Sequence, residues 1–89
     1  MLSENIEIIN HLGLHARAAA KFVSTTTRFE SAIKISKDGR EVDGKSIMSV
    51  MMLAASCGST VAISCDGSDE TEALKAIKAL INDRFGEEQ

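Results

Sequence analysis

Over residues 2–9, Leu2, Ile6 and Ile8 recur at period two, with Glu4 and Glu7 between or beside them. A period of two predicts a half-buried strand. Asn10 to Leu14 follow as a loop, with Gly13 as the breaker. Over 16–27 the period lengthens, and Ala16, Ala19, Ala20 and Val23 form one helical stripe with Lys21 and Ser24 off it. Alternation returns over 31–37, with Ile33 and Ile35 on one face. Asp38-Gly39 is a hairpin signal, and Arg40 to Val42 is the short return strand, broken by Gly44. Residues 46–56 read as a short helix ended by Cys57-Gly58-Ser59. Val61, Ile63 and Cys65 alternate in a fourth strand over 60–65, and Asp66-Gly67-Ser68 turns the chain. The last helix, 69–85, carries the stripe Ala73, Leu74, Ile77, Leu80, Ile81 and Phe85. Its acidic residues (Asp69, Glu70 and Glu72) lie in the first turn, Arg84 in the last and Gly86 just beyond, the order that the helix dipole and a glycine stop favour.

The element order β-α-β-β-α-β-α, with four amphipathic strands, predicts an α/β (α+β) open-faced two-layer sandwich. A four-stranded antiparallel sheet carries helices on one face. The first and last helices cover the sheet and the short middle one sits at its edge. The 89 residues read as one domain, 1–89, with no proline and no linker to divide them. Surface scaling gives about 5,000 Å² folded against about 14,000 Å² unfolded, enough for a core but not for separate substrate and cofactor domains.

Composition narrows the function. A formal net charge of −3 argues against nonspecific nucleic-acid binding, and three Phe with no Trp or Tyr leave little for base stacking. No apolar run reaches the roughly 20 residues of a membrane span, and residues 1–5 lack the basic and apolar regions of a signal peptide. Cys57 and Cys65 have neither disulfide-scaffold nor metal-ligand spacing, so they read as two reduced thiols in a cytoplasmic protein. No cofactor or metal is indicated.

The informative stretch is Gly13-Leu14-His15-Ala16-Arg17-Ala18. It puts a histidine where a glycine loop ends and a helix begins. The first amides of a helix have no internal partners, and with the positive dipole end they form an anion site. The amides of Ala16, Arg17 and Ala18 would cradle a phosphate, and the Arg17 guanidinium would add charge-assisted contacts. His15 there suits a phosphoryl acceptor. A surface histidine that merely caps the helix is the plainer reading of the same residues.

The run Gly13-Leu14-His15-Ala16-Arg17, placed after one strand, resembles the active centre of HPr, the phosphocarrier family of the phosphoenolpyruvate-dependent phosphotransferase system. Lys45-Ser46-Ile47-Met48 resembles the family's regulatory serine region, and element order and length agree over nearly the whole chain. The resemblance implies a relay substrate without turnover of its own. Enzyme I passes phosphate to Nδ1 of His15, Arg17 steadies it, and His15 passes it to a histidine of a IIA protein or domain. It also implies phosphorylation of Ser46 by an ATP-dependent HPr kinase, acting by added charge that blocks docking. One departure stands out: Ala18 occupies the position after the arginine where the family usually has proline. Proline stiffens a first helical turn, so its absence bears on transfer rate more than on identity.

Ser46 also reads simply as the N-cap of the middle helix. That helix has two apolar stripes: Val50, Leu53 and Ala54 are assigned to the core, and Met48, Met51 and Met52, with Ile47 at the edge, to a partner-binding surface. Methionine adapts to several partners, but it also fills cores, and the helical wheel alone leaves both assignments open. Gly39 to Ser46 matches the P-loop pattern G-x-x-x-x-G-K-S. We reject that reading because the Asp38-Gly39 hairpin makes the strands antiparallel and Glu41 and Asp43 would oppose the phosphates. His11 reads as an exposed neighbour of the active loop, and Lys21, Arg28 and Lys45 as a basic rim or as solvated charge. The expected partners are enzyme I, IIA proteins and HPr kinase/phosphorylase, with neither nucleic acid nor membrane insertion, and the expected state is a monomer. A regulatory protein-interaction module without phosphoryl relay is the alternative.

Overall fold

The computed structural model describes residues 1–88. The chain runs β1 (Leu2–Glu7), α1 (Ala16–Thr26), β2 (Ala32–Lys37), β3 (Arg40–Asp43), α2 (Ile47–Met52), β4 (Thr60–Asp66) and α3 (Glu70–Asn82), then a 3-10 turn at Arg84–Gly86. The sheet order is β1-β4-β2-β3, and every neighbouring pair is antiparallel. β4 therefore sits between β1 and β2, opposing Ile63 to Glu4 on one side and to Ile35 on the other. Helices cover one face, and the sandwich predicted from periodicity is the fold observed.

The core lies between sheet and helices. Ile6, Ile33, Ile35, Val61, Ile63 and Cys65 face inward from the strands, against Ala73, Ile77 and Ile81 of α3 and Ala18, Ala19 and Phe22 of α1. The other sheet face is polar, with Ser3, Asn5 and Glu7 in β1 alternating with these inward positions. Glu4 falls on the inward register of β1, and the Lys78 amine meets its carboxylate at 2.8 Å. The total accessible surface is 4868 Å².

Several boundaries and stripes differ from expectation. In α1 the buried residues are Ala18, Ala19, Phe22 and Thr26, whereas Ala16 and Ala20 are exposed. The face is rotated because the large Phe22 side chain, which is wholly buried, sets it rather than the small alanines. α2 stops at Met52, not at residue 56, because Leu53 caps it and Ala54 turns left-handed with φ +52°. Ala54 is consequently exposed, and Ala55 takes the buried position expected for it. α3 ends at Asn82, so Arg84 lies beyond the helix rather than in its last turn. β1 ends at Glu7 by strand geometry, yet Ile8 still pairs, donating to Ser59 and accepting from Gly58, both at 2.8 Å.

Candidate functional site

His15 is the N-cap of α1, in extended conformation, and its carbonyl accepts the first helical bond from the Ala19 amide at 2.8 Å. The amides of Ala16, Arg17 and Ala18 precede that bond, so they have no acceptor within the helix. Ala16 and Arg17 are exposed, whereas the Ala18 methyl is buried in the core. The helix start inferred from the sequence is therefore present, with three amides free of helical acceptors and the imidazole beside them, 26% exposed.

The loop carrying His15 is fixed from beneath. Gly13 is left-handed at φ +68°, and the Leu14 amide donates to the Ala55 carbonyl at 2.8 Å. A Cβ at residue 13 would lie 2.5 Å from that same carbonyl oxygen, so glycine is needed for both its conformation and its close approach. Buried Asn10 closes the loop from within, donating from Nδ2 to the Gly13 carbonyl at 2.8 Å.

The residue that sequence reasoning missed is Glu87. Its carboxylate meets Nε2 of His15 through one oxygen and accepts from Asn10 Nδ2 at 2.9 Å through the other. The Asn10 hydrogen bond chiefly holds the Glu87 carboxyl below its ordinary 4.5; burial opposes this, and His15 and the Arg17 charge add to the lowering. In the sequence Glu87 and Glu88 are two adjacent acidic residues far from the histidine loop, which ordinarily signify solvated charge, and nothing in their spacing ties either to His15.

The remaining candidates are placed as follows. Ser46 is the N-cap of α2, half-buried, and its Oγ accepts from the Ser49 amide at 3.3 Å. Met48, Met51, Met52 and Ile47 are exposed, whereas Val50 and Leu53 are buried, so the methionine stripe is the surface one. α2 packs on α1, and the Leu14–Ala55 bond ties the His15 loop to the segment after α2. Exposed Leu12 adds an apolar side chain to the loop itself. His11, Arg17 and Lys21 line a cavity of about 500 Å³ together with Gly86, Glu87 and Glu88. Lys21 and Arg28 line a second groove, while the Lys45 amine donates to the Phe29 carbonyl at 2.7 Å. Lys45 is thus committed to a structural contact, and β2 and β3 are antiparallel around Asp38-Gly39, which removes the P-loop reading. Cys57 is exposed and Cys65 buried, each a free thiol, and burial pushes the Cys65 thiol up. Among the described residues no cluster of three or more His, Cys, Asp or Glu is suited to a metal ion, and no helix is long and apolar enough to cross a membrane.

A family model described as "PTS HPr component phosphorylation site" matches residues 2–83. The chain belongs to the HPr family. It is 58% identical over 87 residues to a phosphocarrier protein HPr of Cupriavidus necator, covering 98% of each chain. Among solved structures, HPr-C-His from Thermoanaerobacter tengcongensis matches with a TM-score of 0.96 at 49% identity, covering all of both chains. An HPr dimer from the same organism matches at TM-score 0.79 and 49% identity, over 98% of this chain and 100% of that one. HPr proteins are phosphocarriers of the phosphotransferase system, carriers rather than catalysts, and that general role is the one this chain's family assigns.

Proposed function

We propose that this chain accepts a phosphoryl group on Nδ1 of His15 from phospho-enzyme I and donates it to a histidine of a IIA protein or domain. In the first step the Nδ1–P bond forms as the donor's N–P bond breaks, and in the second the roles reverse. The observation that carries the reading is the placement of His15 at the N-cap of α1, beside three amides with no helical acceptor. Arg17, at the same helix end, stabilises charge on the transferring group, where positioning and electrostatics supply most of the rate. The exposed Ile47, Met48, Met51 and Met52 supply an apolar docking surface for both partners. The chain works in this reading as a cytoplasmic monomer, without a cofactor.

Ser46 is the proposed regulatory site. Its phosphorylation by an HPr kinase would put negative charge beside the methionine surface, and at a helix start that charge does not unfold the domain. The test of the relay is intact mass after incubation with phosphoenolpyruvate, Mg²⁺ and cognate enzyme I. One acid-labile phosphoryl group on the wild type and none on His15→Ala is the expected result. An unmodified, folded wild type beside an active enzyme I overturns the relay and leaves a regulatory interaction module.

A further inference from the structure

The C-terminal segment takes an unusual course to reach His15. Arg84, Phe85 and Gly86 are left-handed in succession, at φ +53°, +54° and +77°. This conformation is costly for residues that carry a Cβ. Two anchors hold it: the Phe85 side chain is wholly buried, and the Lys21 amine donates to the Phe85 carbonyl at 2.7 Å. The result is Glu87 seated between Asn10 and His15, with only 13% of its side chain exposed.

From that arrangement we infer that Glu87 is a positioning residue for phosphoryl transfer, held by Asn10 and acting through Nε2 of His15. The inference rests on the relay reading above and deepens it. An ionised carboxylate only accepts hydrogen bonds, so Nε2 carries the hydrogen and Nδ1 keeps its lone pair. Among the described residues Nδ1 has no hydrogen-bond partner. When Nδ1 takes the phosphoryl group, the ring becomes cationic with its hydrogen still on Nε2, and Glu87 faces that new charge. When phosphate leaves, the ring returns to neutral without losing or gaining a proton. No general base is needed in either direction. The other charged groups around Glu87 are Arg17, Lys21, His11 and Glu88, which share its cavity. Asn10 fixes the second carboxylate oxygen, so Glu87 cannot swing to Arg17 without breaking that part-buried hydrogen bond.

The experiment uses the whole chain with Glu87→Ala and Glu87→Gln. Nitrogen-15 NMR of the His15 imidazole reads which nitrogen carries the hydrogen, and stopped-flow transfer from phospho-enzyme I reads the rate. Circular dichroism checks the folding of each variant. Glu87→Ala is expected to lose the hydrogen-bonded Nε2–H signal and to slow transfer by about 10-fold, the lower end of what losing the carboxylate partner of a metal-bound imidazole costs. Glu87→Gln keeps an acceptor but not the charge, so it retains the Nε2–H signal with an intermediate rate. An unchanged signal, or an unchanged rate, in folded Glu87→Ala overturns the inference and leaves Glu87 a tether for the chain end. If the wild type takes no phosphate while its Nε2–H signal is intact, the relay reading itself has failed, and the positioning role falls with it.

Discussion

Asn10 and Glu87 lie 77 positions apart in the chain and are joined by a 2.9 Å hydrogen bond beneath the His15 loop. Asn10 is completely buried and also holds the Gly13 carbonyl, while its own Oδ1 has no partner among the described residues. Asn10→Ala leaves the Gly13 carbonyl and the Glu87 carboxylate without this donor. It is expected to lower stability by about 1–3 kcal/mol, the cost of stranding buried polar groups. Urea denaturation monitored by circular dichroism checks this; an unchanged midpoint would show that water replaces the amide at no cost.

Two left-handed positions respond oppositely to substitution. Gly13→Ala forces a Cβ to within 2.5 Å of the Ala55 carbonyl at φ +68° and should destabilise by about 1–3 kcal/mol. Ala54 already bears a Cβ at φ +52°, in open contact with solvent, so Ala54→Gly should stabilise by up to about 1 kcal/mol. Thermal melts of the two variants compared with wild type should move in opposite directions.

Substitutions at Ser46 separate its two roles. Ser46→Ala removes the acceptor for the Ser49 amide and should cost about 1 kcal/mol. Ser46→Asp keeps a capping oxygen and adds charge, so stability should hold while phosphoryl transfer from enzyme I slows. Equal transfer rates for Ser46→Asp and wild type would remove Ser46 from the regulatory reading.

Acid should unfold the chain through particular carboxylates. The Asp69 carboxyl is held below its ordinary 3.8, first by the Ser31 hydroxyl and then by the Glu30 amide, with the Ser31 amide adding to the effect. Glu87 is held below 4.5 chiefly by Asn10. Because both values are lower in the folded state, their stabilisation is complete above the ordinary values and is lost as pH falls through the folded ones. The melting temperature should be insensitive to these groups near neutrality and drop below about pH 4.5. Asp69→Asn should flatten that drop; an unaltered acid profile would assign it elsewhere.

Much of the architecture is readable because its periods are strong. Ile33 with Ile35, and Val61 with Ile63, mark inward strand faces, and Ala73, Ile77 and Ile81 mark the buried stripe of α3. The α1 stripe is not readable in the same way, because alanine contrasts weakly with its neighbours and Phe22 decides which side turns inward. His15, Arg17 and Ser46 stand out because helix starts have local signatures, and the structure puts His15 and Ser46 at N-caps.

By itself, the sequence determined the order of the elements, the antiparallel Asp38-Gly39 hairpin and the helix start at His15, since all of these follow from neighbours a few residues apart. Tertiary structure alone decided which stripe of α2 faces out, because burial depends on what α1 and the sheet leave uncovered. It also decided the partner of His15. Glu87 reaches Nε2 only because the left-handed turn after α3, pinned by Phe85 and Lys21, brings residue 87 back against the His15 loop.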